Sequence, residues 1–314
     1  MDDTGQPATD LISVCICTFK RPAGLQAALE SVLKQKVLPG ANFEIVVVDN
    51  DPLASANEQV HAIQCANPDS RLIYVNETTP GVSFARNRCL REASGNWIAF
   101  LDDDEAASTN WLSDLLETAT EYKSDAVFGP VISKFQDAPP RWMTAKSIQE
   151  RKRFPTGVSI GWQDARTGNV LFKKKLLNQI PPFDVAFAAS GGEDSLFFAR
   201  AVASGARLTW CDEGYVEEDV ANARLTLPWL LRRAFVGGQN FVRIQAELKG
   251  YAQYPRYFFR GCGGIFVHLF LGLVYLSFSR ANAFQHMRKL VGDFGKVLAL
   301  FSGHVVAHGV DSEK

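Results

Sequence analysis

Four short apolar runs, each followed by polar residues and then by a helical pattern, most constrain what this chain can fold into. They are Leu11–Thr18, Glu44–Val48, Arg71–Val75 and Trp97–Leu101. Strands that are apolar throughout and alternate with helices need cover on both faces, which predicts a parallel sheet. Between them, Lys20-Arg21-Pro22 opens a helix with Leu25, Ala28, Leu29 and Val32 on one face. A second helix is expected from Gly81 to about Ala93 with Gly95 at its C′ position, and a third is marked by Trp111, Leu112, Leu115, Leu116 and Ala119. The expected class is α/β, a mostly parallel sheet flanked by helices. In such sheets ligands bind beyond the carboxyl ends of the strands. Three of the four strand ends carry polar clusters, Thr18–Arg21, Asp49–Asp51 and Asp102–Asp104, so these converge on one edge.

Composition narrows the function. With 314 residues, 46% hydrophobic, the chain can bury a sizeable core, and disorder is excluded. A net charge of −1 speaks against a dedicated nucleic-acid binder. The six cysteines are scattered without CxxC pairs, and Cys15 and Cys17 share one face of a strand, so they read as small core hydrophobes in a reducing compartment. The polar, acidic start carries no expected signal peptide. From Arg224 to Leu300, eleven basic residues stand against Glu247 and Asp293 alone. Inside that stretch Gly261–Ser279 has no formal charge. As a helix it would span ~28 Å, just enough for a bilayer core. Its glycines, His268 and two serines weaken a span, and bases flank it evenly, so no orientation follows. Helices lying in the cytoplasmic leaflet or a re-entrant pair fit better than one crossing, and a buried soluble helix remains a third reading. The irregular stretch Val131–Gln163 reads as a surface excursion or as a mobile lid.

Three adjacent carboxylates after an uncharged strand, Asp102-Asp103-Asp104, read either as a solvated turn or as a cation site. They repel one another and lack nearby bases in sequence, which suits Mg²⁺ or Mn²⁺ held by one or two carboxylates plus substrate phosphates. The loop after the first strand, Thr18-Phe19-Lys20-Arg21-Pro22, has no GxGxxG, and no Walker loop occurs. A bound nucleotide is therefore not cradled by glycines. Asp49 and Asp51 could accept hydrogen bonds from base or ribose, and Arg21 and Arg86 could face base or phosphates.

Six segments together resemble one family: VCICTFKRP (14–22), IVVVDND (45–51), GVSFARNR (81–88), GNWIAFLDDDE (95–105), GNVLF (168–172) and SGGEDSLFF (190–198). In order and spacing they are similar to the GT-A, family-2 inverting glycosyltransferases, and within these to the bacterial exopolysaccharide β-glucosyltransferases of succinoglycan type. A Pro-Arg-Trp-Met stretch (140–143) and the Trp229–Gly238 segment add to that likeness. The resemblance implies nucleotide contacts at Thr18, Phe19 and Arg21 and base reading at Asp49 and Asp51. It implies a DxD motif in Asp102 and Asp104, the first near the ribose with Asp103 beside it, the second on the metal. Asp194 matches the catalytic base and Glu193 its partner. Glu217 stands where many relatives place a further metal-ligating histidine. None of the five histidines lies in a matched segment.

The expected function is transfer of a hexosyl unit from a UDP-sugar to a lipid-linked glycan acceptor, at the cytoplasmic face of a membrane. The expected domains are a transferase domain, 1–240, and a basic, apolar helical tail, 241–314. The competing readings are a nucleotidylyltransferase, which would need a glycine-rich first loop, and a non-catalytic glycan-binding or scaffold protein.

Overall fold

The structure is a computed structural model and describes residues 10–135, 137, 140, 143, 152–188 and 190–301. Contact density divides the chain into two units. The first comprises residues 1–132, 151–188 and 193–218, and the second residues 133–150, 189–192 and 219–314. The boundary expected at 240 instead falls inside a continuous 23-residue helix, Leu227–Lys249.

The first unit carries a seven-stranded sheet. Its strands are β1 (Asp10–Thr18), β2 (Ala41–Asp49), β3 (Leu72–Asn76), β4 (Trp97–Asp102), β6 (Ala126–Phe128), β8 (Asn169–Lys173) and β9 (Leu208–Trp210), in the spatial order β3-β2-β1-β4-β8-β6-β9. The helices are α1 (Pro22–Leu33), α2 (Asn57–Ala66), α3 (Val82–Glu92), α4 (Trp111–Glu121) and α5 (Glu193–Ala203). Strands β1 to β4 pair in parallel, as their apolar runs predict, and β8 runs antiparallel between β4 and β6. Val14, Ile16 and Val47 pack one face against α1 and α4 residues such as Leu29 and Leu115. Cys15, Val46 and Phe172 pack the other against residues of α3 and α5, Cys89 and Phe197 among them. That double cover is why the strands tolerate almost no polar residue.

Two shorter strands, β5 (Glu105–Ala107) and β10 (Val216–Val220), pair antiparallel at residues 105–107 and 216–218, while β7 spans Val131–Phe135. All six cysteines are free, and Cys17 and Cys89 lie 3.6 Å apart through their sulfurs. Gly95 does not take the expected C′ place. Helix α3 ends at Glu92 and the chain leaves it extended at Ala93, while Gly95 lies where a Cβ would strike the backbone of Leu11 and Ser13. Residues 156–160 run beside β9, where Gly157 N–H donates to the Trp210 carbonyl and Trp210 N–H to the Val158 carbonyl, so this part of the irregular middle is anchored. Arg141, Trp142 and residues 144–151, on which the lid reading and part of the 140–143 likeness fall, lie outside the described residues.

In the second unit, α6 (Leu227–Lys249), α7 (Tyr254–Leu276) and α8 (Arg280–Leu298) pack through small residues. A Cβ on Gly238 or Gly295 would collide with the facing backbone of Gly292 or Phe235, so α6 and α8 touch backbone to backbone. On α7, Gly261 makes room for the Val297 side chain and the Asp293 carbonyl, and Gly264 for the Asp293 carboxylate. His268 and His286 share a 3.1 Å hydrogen bond between α7 and α8, beside the buried Asp293–Lys296 pair. The opposite face of α7 is bare: Phe259, Phe266, Phe270 and Leu273 are all exposed.

Candidate active site

Register brings the polar strand ends together. Thr18 pairs with Asp49 across β1 and β2, and Cys17 with Asp102 across β1 and β4. Beyond β1 the chain turns sharply: Lys20 holds a left-handed φ of 54°, a costly conformation for a side-chain-bearing residue. The turn aims Arg21 at the acidic loop, where Nη1 donates to Asp103 Oδ1 and Asp104 Oδ2, both at 3.0 Å. Thr18 Oγ1 donates to the other Asp103 oxygen at 2.8 Å. Even so, burial pushes the Asp103 carboxyl up to about 6; Arg21 pulls against this and Asp104 adds to it. Phe19 is part-exposed, with the Lys20 ammonium 5.3 Å over its ring.

The second loop is spent largely on itself. Asp49 is fully buried, and its carboxylate accepts Asp51 N–H, Ala56 N–H and the Tyr74 hydroxyl at 2.9, 2.8 and 3.1 Å. Asp51 Oδ1 accepts Leu53 N–H, and Asn76 Nδ2 donates to the carbonyls of Asp49 and Asp51. Asn50 ties the loop to the start of α3 by accepting Gly81 N–H. Asp49 thus shapes the loop, and Asp51 is held on its floor.

The third cluster meets the start of α5. Glu105, 2% exposed, accepts the Asp102 N–H at 3.0 Å and closes the acidic turn. A Cβ on Gly168, just before β8, would lie 2.7 Å from Glu105 Oε1 and 3.1 Å from Asp102 Oδ2. Only glycine leaves room for two carboxylates against the backbone there. Arg86, 8% exposed, bonds Glu193 Oε1 through Nη1 and stands 3.6 Å from Asp102 Oδ1 through Nη2. Glu193 Oε2 is buried without a hydrogen-bond partner among the described residues. Burial pushes Glu193 up to about 7 against the pull of Arg86, with Asp194 and Asp102 pushing further. Asp194 follows Glu193 in the first turn of α5, where the helix dipole favours an anion, and Ser195 N–H bonds its Oδ1.

Two contact clusters therefore meet at the acidic turn, Thr18 and Arg21 with Asp103 and Asp104, and Arg86 with Asp102 and Glu193, with Asp194 near Arg86 at the border of the second. Glu217 is placed differently. In β10 it pairs with Ala106, whereas Glu218 pairs with Glu105, and directly paired residues share a face. Glu217 therefore points away from the side that carries Glu105. Sequence reading passed over Glu105 and Gly168, although both lie in matched segments. Glu105 acts on a backbone amide and Gly168 by having no side chain, so neither leaves a chemical signature.

The residues fit a divalent cation. Six carboxylates (102–105, 193 and 194) lie on the acidic turn and the first turn of α5, four of them paired with the guanidiniums of Arg21 and Arg86, and two of the carboxyls are pushed up by burial. All donors are hard oxygens, as Mg²⁺ and Mn²⁺ prefer. Among the described residues no group of three or more His, Cys, Asp or Glu forms a ready cage. A cation carried by one or two carboxylates and a substrate diphosphate needs none.

Comparison with known proteins agrees with this geometry. Residues 13–180 match the glycosyl transferase family 2 domain. The succinoglycan biosynthesis protein ExoM of Rhizobium meliloti is 34% identical over 237 residues, 75% of either chain. The Escherichia coli UDP-Glc:alpha-D-GlcNAc-diphosphoundecaprenol beta-1,3-glucosyltransferase WfgD is 35% identical over 108 residues, 34% of this chain and 38% of that one. In fold, the chain resembles the mannosyltransferase PcManGT of Pyrobaculum calidifontis, solved with GDP-Man and Mn²⁺. The TM-score is 0.63 at 18% identity, covering 92% of this chain and 87% of that one. The chain belongs to glycosyl transferase family 2, an enzyme family, and is built on the GT-A fold.

Proposed function

We propose that this glycosyltransferase moves a hexosyl unit from a UDP-hexose to a lipid-linked glycan acceptor in exopolysaccharide synthesis, with inversion at the anomeric carbon. The observation that supports this reading is the Arg86 bridge, which links Asp102 of the β4–β5 turn to Glu193, the neighbour of Asp194. A sugar hydroxyl is a weak nucleophile until a carboxylate accepts its proton during attack, and Asp194 takes that part with Glu193 beside it. Thr18, Phe19, Arg21, Asp51 and the loop shaped by Asp49 receive the nucleotide. Asp102 and Asp104 would hold Mg²⁺ or Mn²⁺, and on β10 the register favours Glu218 over its neighbour Glu217 as a further oxygen donor. The cation supplies charge neutralisation for the departing diphosphate.

The acceptor class is supported by the WfgD likeness and by the second unit. Tyr251–Leu276 is the one described helix long and apolar enough to cross a membrane. Its exposed aromatic face lies among Arg256, Arg260 and Arg280, a pattern suited to lying in an anionic leaflet. The protein is expected to float with phosphatidylglycerol vesicles and to release them in high salt; equal binding to neutral phosphatidylcholine would remove the electrostatic part.

A panel of UDP-sugars with Mn²⁺, scored for slow donor hydrolysis, tests the activity without knowledge of the acceptor. Asp194→Asn should lower turnover by about 10²–10⁴-fold while UDP still binds. Unchanged turnover would remove Asp194 as base, pyrophosphate as product would indicate nucleotidyl transfer, and absence of metal-dependent UDP binding would indicate a non-catalytic protein.

A further inference from the structure

Three polar side chains of α3 are turned towards the stretch that leads into α5. Ser83 Oγ donates to the Asp184 carbonyl at 2.9 Å. Asn87 exchanges two bonds with the backbone of Phe183, giving at 2.8 Å and accepting at 2.9 Å. Arg86, between them, bonds Glu193 and lies 5.8 Å over the Phe183 ring. Arg200 of α5 closes the set by donating to Asp184 at 3.1 Å. Gly81, at the head of α3, fits against Ala188, where a Cβ would come within 2.8 Å. Segment 81–88 is thus a seam against Phe183, Asp184, Ala188 and Glu193, and its Arg86 also reaches Asp102.

We propose that Arg86 is a positioning residue, which sets the first turn of α5 against the acidic turn after β4 by bridging Glu193 and Asp102, and is not a ligand of the donor diphosphate. The inference rests on the reading of Asp194 as base. Arg86 is nearly enclosed, and its forked donors are committed to carboxylates on two elements. A lysine at this place would keep the charge and lose the fork. Without any cation there, Glu193 would be a buried anion lacking its counter-charge, and its carboxyl would rise further above its present value near 7. Both carboxylates would then be free to drift from the spacing that in-line displacement requires. An interaction that acts on alignment lowers kcat and leaves donor binding nearly untouched, whereas a diphosphate ligand moves donor binding first.

The test compares wild type, Arg86→Lys, Arg86→Met and the neutral pair Arg86→Met/Glu193→Gln. Each is assayed with UDP-glucose, UDP-galactose and UDP-N-acetylglucosamine across pH 6–9, with UDP affinity in Mn²⁺ measured by calorimetry. Arg86→Met is expected to lose about 100-fold in kcat with UDP affinity within about threefold of wild type. Its acidic limb should move to higher pH. Arg86→Lys should retain about a tenth of the activity and leave that limb in place. If Arg86→Met does not fold, the neutral pair, which buries no lone charge, carries the same comparison and should bind UDP normally at low kcat. A tenfold or greater loss of UDP affinity in Arg86→Lys or the neutral pair, with kcat retained, would overturn the proposal. Failure of the wild-type enzyme to hydrolyse any of the three donors would instead strike the underlying reading.

Discussion

Two buried glutamates of the first unit, Glu44 and Glu193, have opposite fates. Glu44 lies in the leading half of β2 and accepts Ser13 Oγ, Ser94 N–H and Ser94 Oγ at 2.6, 2.7 and 2.8 Å, with Arg71 Nε at 3.0 Å. Burial pushes its carboxyl up, but the two serines and Arg71 hold it below the usual carboxylate value. Glu193, at the trailing edge of the sheet, keeps one buried oxygen without a hydrogen-bond partner among the described residues and is pushed up to about 7. Asp103, in the acidic turn after β4, is pushed up to about 6. The same sheet therefore surrounds Glu44 with donors in the leading half of a strand and leaves Glu193 short of them beyond the strand ends.

The largest effect that tests this contrast is on Glu44. Glu44→Ala strands Ser13, Ser94 and Arg71 and should cost about 3 kcal/mol in urea unfolding, with turnover per folded molecule unchanged. Full stability in that variant would break the comparison at its structural end.

A middle-sized effect concerns pH. The folded protein holds Asp103 protonated up to about 6, while the unfolded chain releases that proton near 3.8. Between those values the folded state binds more protons, so the contribution of Asp103 falls as pH rises from about 4 to about 6 and stays low above. In chelator, Asp103→Asn should flatten that part of the stability curve by about 2 kcal/mol between pH 4 and pH 8. A wild-type curve identical in shape to that of the variant would show the acidic turn to be as satisfied as Glu44.

The smallest effect sharpens the satisfied end. Arg71 is largely exposed, so Arg71→Gln should cost under about 1 kcal/mol, because the serines rather than the ion pair hold Glu44. A loss as large as that of Glu44→Ala would shift the weight to Arg71.

The strand ends were legible in the amino-acid order because an apolar run stopped by charges has few other meanings, and Thr18 does pair with Asp49 while Asp102 pairs one residue earlier, with Cys17. The inward commitments were not. Asp49 is consumed by Ala56 N–H and the Tyr74 hydroxyl, partners set by loop geometry and by a neighbouring strand. Arg86 looked free to face a phosphate because Glu193 lies 107 residues away in the chain. The limit of the first unit was hidden as well, since α6 continues through residue 240 without a break and the change of packing partners precedes it.

Strand β8 enters the sheet against the direction of β4, so the residue that lines the site there, Gly168, precedes its strand instead of following it. A growing chain therefore makes the loops after β1, β2 and β4 from its first hundred or so residues and still lacks the strand beside β4. Leu101 waits for Asn169, and closing a loop of about seventy residues is a late entropic step. During synthesis that side of β4 therefore stays unpaired until β8 has left the ribosome.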